Sequence, residues 1–306
     1  MSNDTLPATA PAQPTGPAKG KRPASLWSDA WYDLRRNPVF IIGAAMITLF
    51  IAVSAFPGLF DTVGVDSSTC DLAVARKGIS PQHWFGTDNL GCDVYSRVIH
   101  GARVSIIVGI VSAAVTGVVG GALGLLAGFY GRWVDVLLSR VAEIFFAIPS
   151  ILGALLILAV IGRDNAGITS VVFALALLAW PMILRIMRAA VITAKHQDYV
   201  MAARALGAGP GRIMLRHILP NAVAPVIVVS TINLGAFIAA EAALSFLGVG
   251  IQSPQISWGL MIADARNRFV EAPLPLLFPA LFLSLTILSV VMLGDAVRDA
   301  LDPKLR

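Results

Sequence analysis

Six long apolar runs constrain the fold of this chain more than any other feature. The runs cover residues 39–60, 104–130, 137–161, 166–187, 222–250 and 274–297. A membrane-spanning helix needs about 20 consecutive apolar residues, whereas a strand of a membrane barrel shows about 10 residues that alternate. The runs are continuous, and only 13% of all residues are charged. The sequence therefore predicts an all-α integral membrane protein with six transmembrane helices.

The residues before the first run predict two further segments. Residues 1–25 are rich in proline, alanine and threonine and predict a disordered cytoplasmic tail. Residues 26–38 place leucines and tryptophans at helical spacing, which predicts an amphipathic helix at the membrane interface. The run at 39–60 is longer than the 7–15-residue core of a signal peptide, so we expect an uncleaved first span.

The distribution of Lys and Arg predicts the orientation of the spans. If both termini are cytoplasmic, the cytoplasmic segments hold 16 of the 23 Lys and Arg residues. Cytoplasmic loops carry an excess of these residues, so we predict N-in/C-in topology. Residues 195–220 are then a cytoplasmic loop, and residues 61–103 are external. The net charge of +5 comes without basic runs, which argues against a nucleic-acid partner.

The spans carry small residues and prolines that predict close packing and kinks. Gly120, Gly124 and Gly128 are four residues apart, so another helix can approach that face closely. Proline removes a backbone donor and tends to kink a helix, which applies to Pro149, Pro181 and Pro225.

The external loop holds both cysteines of the chain, Cys70 and Cys92. Disulfides form on the exported side of a bacterial membrane. The sequence leaves two interpretations open, a Cys70–Cys92 bridge or two free thiols.

The cytoplasmic stretch "DYVMAARALGAGPGRIMLRHILPN" at 198–221 predicts two short helices. Asp198 is a candidate N-cap, and Gly207 fits the left-handed residue that closes a helix. A second helix is expected from Pro210 to about Ile218, ended by Pro220. Such an element would either seat in a groove of another protein or lie on anionic lipid.

This stretch resembles the EAA loop in permease subunits of ATP-binding-cassette (ABC) importers. The family pattern is Glu-Ala-Ala, three residues, Gly, nine residues, an apolar residue, one residue and Leu-Pro. Met201 stands where the family usually has Glu, and His217 occupies the apolar position. The residues that match the pattern are Ala202, Ala203, Gly207, Leu219 and Pro220.

Three further motifs resemble the second permease of dipeptide and oligopeptide importers. They are "HWFGTDNLGCDVYSRVIHGARVSI" at 83–106, "EAALSFLGVG" at 241–250 and "GDAVRDALDPKLR" at 294–306. Cys92 replaces the Arg that is usual in the first motif. The resemblance covers nearly the whole chain and implies a type I ABC importer permease fold. It implies ATP-driven import of dipeptides or oligopeptides, with nickel or glutathione as alternative solutes.

The resemblance also implies partners and contact residues. The expected partners are a homologous second permease, one or two ATPase subunits that bind ATP and Mg²⁺, and an extracytoplasmic peptide-binding protein. The chain itself is expected to be no enzyme and to hold no cofactor or metal. The implied contact with the ATPase comprises Asp198, Tyr199, Met201, Ala202, Ala203, Leu206, Gly207, Leu219 and Pro220.

Polar residues within the spans are candidates for the translocation pathway, because a buried polar group in lipid is costly without a role. The candidates are Glu143, Asn233 and Glu241. A hydrogen bond between helices is the alternative role for Glu241. A secondary transporter driven by an ion gradient is the alternative from another class, but such proteins usually show internal repeats, which are not evident here.

Overall fold

The computed structural model describes residues 26–63, 65 and 70–301, and this part of the chain is helical without a β-strand. The tail predicted at residues 1–25 lies outside the described residues. The helices are α1 Leu26–Leu34, α2 Pro38–Ala55, α3 Val94–Tyr130, α4 Arg132–Phe146, α5 Ser150–Ile161, α6 Ile168–Lys195, α7 Asp198–Ala205, α8 Pro210–Arg212, α9 Leu219–Ala222, α10 Ala224–Phe246, α11 Trp258–Ala265 and α12 Leu274–Leu301.

Five of the described helices are long and apolar enough to cross a membrane, namely α2, α3, α6, α10 and α12. The third predicted span, 137–161, is not a continuous helix. It is divided between α4 and α5, which are bent by 85° relative to each other. Pro149 lies at the break and cannot donate a backbone hydrogen bond, so the predicted kink is a complete interruption. The number of spans is six when the bent pair is counted as one.

The helix ends differ from the predicted span boundaries. Helix α3 begins at Val94, ten residues before the predicted second span, so residues 94–103 are helical rather than loop. The Asp93 carboxylate caps this helix by accepting a hydrogen bond from the Ser96 amide at 2.7 Å. Hydropathy detects the apolar part of a helix and misses its polar turns. Accordingly, α6 and α12 extend past their predicted ends. By contrast, α2 and α10 end before their apolar runs do.

The helices define two ends of the bundle. At one end, Lys195 Nζ donates to the carbonyl of Phe129 at 2.5 Å, which joins the C-termini of α6 and α3. At the other end, Arg163 donates to the carbonyl of Gly248 at 3.2 Å, which joins the C-termini of α5 and α10. The α4–α5 pair therefore connects the two ends. We call the first the terminal end, since α1 packs there on α12, and the second the loop end.

The glycine face of α3 is the contact surface for α6. A Cβ atom at Gly120 would lie 2.6 Å from the carbonyl oxygen of Trp180, and one at Gly124 would lie 2.5 Å from that of Leu184. At Gly128 the distance to Val191 Cβ would be 2.8 Å. Real Cβ atoms do not come this close, so the two backbones approach only because these residues are glycine. The predicted small-residue face is confirmed.

Candidate functional site

Helix α7, at the terminal end, is closed by glycine but is not capped by Asp198. Its first residue is Asp198, and the preceding Gln197 makes no side-chain cap hydrogen bond. The prediction of Asp198 as N-cap is therefore wrong, although its charge still lies in the first turn, where the helix dipole favours it. Gly207 has φ +79°. The Gly207 and Ala208 amides donate back into α7 at 3.0 Å, in the paired pattern of a Schellman motif.

The segment after the turn is not the simple second helix that the sequence predicts. Helix α8 has one turn, residues Ile213–Ile218 form a π-helical segment, and α9 follows without a gap. Pro220 lies inside this continuous segment rather than ending it. In an α-helix the proline ring would clash with the carbonyl four residues earlier, and the wider π turn precedes it directly. The Asn221 side chain donates to the His217 carbonyl at 2.8 Å.

One face of this element is buried against the bundle. Val200 and Ile218 are completely buried, and both join an apolar cluster that includes Met187 and Val191 of α6. Leu219 packs on the same cluster. A helix of two turns is not stable alone, so this packing is what holds α7 in place. Ala203 is buried too, so it adds little to the exposed surface, and its predicted contact with an ATPase stays a prediction.

The opposite face is exposed and apolar at several positions. We call it the α7 surface and define it as Tyr199, Met201, Ala202, Leu206 and Leu215. Leu206 is 88% exposed. Leu215 is not among the contact residues predicted from the sequence, although its position two residues after the buried Ile213 places it on the opposite face of a helix. Exposed basic residues border this surface, namely Arg204, Arg212 and Arg216.

Glu241 is the most completely buried ionisable residue among those named as pathway candidates. It has 0% exposure, and its carboxylate accepts hydrogen bonds from Ser105 and Ser245 Oγ, both at 2.8 Å. The Trp258 amide donates to Ser105 Oγ at 3.4 Å. The network joins α3 to α10 and to the start of α11. Within this chain Glu241 therefore connects helices, and its proposed place on a pathway is not supported.

The other two pathway candidates lie apart from Glu241. Glu143 is exposed on α4 and forms an ion pair with Arg140 at 2.8 Å, so it lies on the surface and not within a span interior. Asn233 is half-buried on α10, two turns from Glu241. The structure does not bring the three residues together.

The loop end is tightly connected by short-range interactions. Cys70 and Cys92 form a disulfide, in agreement with one of the two interpretations of the sequence. The Asp88 carboxylate accepts the Leu90 and Cys92 amides at 2.8 and 2.9 Å and pairs with Arg97. Gly91 has φ +77°, and a Cβ atom there would lie 1.9 Å from a backbone oxygen of Asp71. The motif "FGTDNLGCD" is therefore a compact turn.

A cavity of about 180 Å³ opens beside this turn, between α3 and α11. Arg97 and Asp264 face each other across it at 3.8 Å. Burial raises the pKa of Asp264 above its ordinary value, Arg97 opposes this effect, and Asp88 adds to it. In the described part of the chain, no group of His, Cys, Asp and Glu side chains could hold a metal ion.

Comparison with known families identifies the chain. Residues 120–306 match the family described as binding-protein-dependent transport system inner membrane component. Residues 25–70 match the N-terminal transmembrane domain of oligopeptide transport permease C. Among solved structures, the inward-facing MetNI methionine ABC transporter matches with a TM-score of 0.54 at 21% identity. That match covers 67% of this chain and 96% of the other, and it shows the fold.

Curated relatives match over nearly their full length. The dipeptide transport permease DppC of Alkalihalophilus pseudofirmus is 40% identical, over 92% of this chain and 91% of the relative. The oligopeptide permease OppC of Bacillus subtilis is 38% identical, over 94% and 92%. The glutathione permease GsiD of Escherichia coli is 39% identical, over 92% and 91%. The chain therefore belongs to the family of inner-membrane components of binding-protein-dependent transport systems, and it is a multi-pass permease subunit of a bacterial ABC importer rather than an enzyme.

Proposed function

We propose that this permease carries short peptides. The support is that relatives named for dipeptide, oligopeptide and glutathione transport are similar to it at nearly equal identity. Glutathione is itself a tripeptide, so the three names share one chemical class. A gradient-driven carrier is disfavoured because the family is defined by dependence on a binding protein.

The α7 surface is, in this proposal, the contact with a cytoplasmic ATPase. The observation that carries it is the exposure of Leu206 and Leu215 on an element whose other face is buried. A helix that lies on lipid presents one broad apolar face to the membrane. Here the broad apolar face packs on α6, and the exposed leucines are few and lie at the tip. Few, protruding apolar side chains are typical of anchors that fill pockets of a partner protein.

The remaining assignments follow from this placement. The terminal end is cytoplasmic, which the excess of Lys and Arg in its segments supports. The partners are a second permease, one or two ATPases that bind ATP and Mg²⁺, and an external peptide-binding protein at the loop end. ATP can drive transport only if the α7 surface binds differently in two states of the ATPase. Helix α1 lies at the membrane interface.

A matched pair of glycine variants tests the coupling proposal. Gly207→Val places a β-branched residue at φ +79°, which is strongly disfavoured, although a Cβ there meets nothing within 4 Å. Gly209→Val is the control, because Gly209 is equally open and has φ −68°, which any residue adopts. We expect ATP-dependent uptake of a labelled dipeptide by the reconstituted transporter to fall about tenfold for Gly207→Val, a loss of about 1.4 kcal/mol. Gly209→Val should retain wild-type uptake.

The possible outcomes separate the parts of the proposal. Normal dipeptide uptake by Gly207→Val would refute the coupling role of α7. If wild-type protein hydrolyses ATP and imports another solute but no peptide, the coupling role stands and the substrate class is wrong. Uptake that is independent of ATP and collapses with the ion gradient would refute the importer mechanism.

A further inference from the structure

The corner between α1 and α2 places aromatic and basic side chains at one point of the surface. Helix α1 ends at Leu34, and α2 begins at Pro38 after a short turn. The Asn37 side chain caps α2 by accepting from the Val39 amide at 2.9 Å. The first amides of α2 are therefore already satisfied, and the free binding capacity of the corner lies in its side chains.

The two faces of α1 have different surroundings. Ala30 is buried where α1 packs on α12, so this side of the helix is turned toward the bundle. Trp31 is 59% exposed, and Tyr32 is exposed beside it. The Trp31 ring also packs edge-on against Phe40 at 6.4 Å, which fixes α1 to the start of α2. Exposed tryptophan and tyrosine at the end of an apolar helix are typical of the membrane–water boundary.

An exposed apolar surface of α2 begins directly beside this corner. Val39, Ile41 and Ile42 are exposed on the first turns of α2, which is one of the five long apolar helices. The corner is thus continuous with an exposed apolar surface, which in this inference contacts acyl chains. Its own polar groups consequently lie at the depth of the lipid headgroups.

Two guanidinium groups converge at this depth. Arg36 lies 4.0 Å and Arg35 5.0 Å from the centre of the Tyr32 ring. In the described part of the chain, no carboxylate lies within ion-pair distance of either group. The ring attracts both cations but does not neutralise them. Two adjacent positive charges that pair with no carboxylate among the described residues form a binding place for an anion, and Arg in particular matches phosphate geometry.

We infer that the α1–α2 corner binds the headgroup phosphate of an anionic phospholipid. Arg35 and Arg36 contact the phosphate, Tyr32 orders both guanidiniums, and Trp31 lies against the glycerol region. Continuity with the exposed apolar face of α2 favours a lipid over an acidic protein segment. The inference concerns a ligand of the membrane and does not depend on which solute the permease carries.

Native mass spectrometry of the complete transporter tests this inference. The complex is equilibrated in nanodiscs that contain phosphatidylglycerol and phosphatidylcholine in equal amounts, and retained lipids are counted. Each Arg near an anionic surface contributes about 1 kcal/mol, so we expect phosphatidylglycerol to be enriched about fivefold per arginine. The double variant R35Q/R36Q should lose this enrichment. The control R268Q, which removes an exposed arginine that is paired with Glu271 at the loop end, should retain it.

Further measurements keep the result decisive. Assembly of R35Q/R36Q with the partner subunits, followed by size-exclusion chromatography, shows whether the variant folds. R35K/R36K keeps both charges, so it should retain most of the enrichment and would confirm a charge-based site if the glutamine variant assembles poorly. Unchanged enrichment in R35Q/R36Q overturns the inference. Displacement of the lipid by 10 mM inorganic phosphate also overturns it, because it would indicate a site for a soluble anion. The inference is likewise overturned if R35Q/R36Q loses a partner protein rather than lipid.

Discussion

The loop end and the α7–α9 element of this permease are stabilised by different interactions. The loop end has a disulfide, a carboxylate that gathers two amides and an arginine, and the Arg76–Glu271 ion pair, which ties the loop to the segment before α12. The α7–α9 element has no such cross-links among its described contacts and is held by apolar packing on α6. Apolar contacts are non-directional, whereas a disulfide fixes one geometry. The comparison indicates a rigid loop end and an α7–α9 element whose position can follow a partner.

The largest effect should come from placing charge on the α7 surface. Leu206→Lys/Leu215→Lys changes two exposed side chains and leaves the buried face intact. If both are anchors, each costs about 2 kcal/mol, so the amount of ATPase that co-purifies with the permease should fall more than a hundredfold. Leu72→Lys is the matched control, since the exposed fraction of Leu72 lies between those of Leu206 and Leu215 but the residue is at the loop end. If ATPase co-purifies in stoichiometric amount with the double variant, the α7 surface is not the ATPase contact.

Removal of the disulfide should affect only the loop end. Cys70 and Cys92 are 22 residues apart, and a bridge of this length contributes about 3 kcal/mol by restricting the unfolded chain. Cys70→Ser/Cys92→Ser should therefore increase hydrogen exchange in residues 70–92, measured by mass spectrometry, and leave ATPase co-purification unchanged. Wild-type protein treated with a reductant should match the double variant. Faster exchange in α7 as well would show that the two ends are not independent.

A single added methyl group tests how rigid the loop end is. Gly91→Ala places Cβ 1.9 Å from the Asp71 backbone oxygen in a left-handed conformation, so the turn must move. We expect the free energy of unfolding to fall by about 1–3 kcal/mol, seen as a lower thermal midpoint of the purified complex. Gly78→Ala serves as control because a Cβ there meets nothing within 4 Å. Equal midpoints for the two variants would mean that the loop adapts readily.

The smallest effect is expected from restoring the family carboxylate. Met201 is exposed on α7, and a glutamate there could pair with Arg204 three residues later, which is worth about 0.2–0.5 kcal/mol. Met201→Glu should therefore change ATP-dependent uptake less than about threefold, as should the neutral control Met201→Gln. A larger change with Glu alone would show that the carboxylate has a specific acceptor on the ATPase.

The sequence predicted features that depend on composition and local geometry. Apolar runs located the spans, the glycine spacing located the α3–α6 contact, and Gly207 marked the end of α7. It could not predict which face of α7 is buried, because two turns are too few for a periodic pattern and Ala203 is as small as the exposed Ala202. The sequence also did not predict the π-helical segment. This segment depends on two things together, the steric effect of the Pro220 ring and the burial of Ile213 and Ile218.

The network around Glu241 shows the same limit at the level of tertiary structure. A lone glutamate in an apolar run signals that a polar group must find partners, but the partners here are far away in sequence. Ser105 lies 136 residues before it. Only the packing of α3 on α10 decides between a hydrogen bond and a pathway position.

The break between α4 and α5 has a consequence for how the subunit sits in its surroundings. Helix α5 has 12 residues, about 18 Å, and cannot cross a hydrocarbon layer of about 30 Å alone. The first turn of any helix also leaves amide groups without a partner inside the helix. Acyl chains offer no acceptor for such groups, so interrupted backbone at this depth is tolerated only beside protein or water. Residues 147–150 therefore mark a flank of the subunit that contacts protein or water rather than acyl chains.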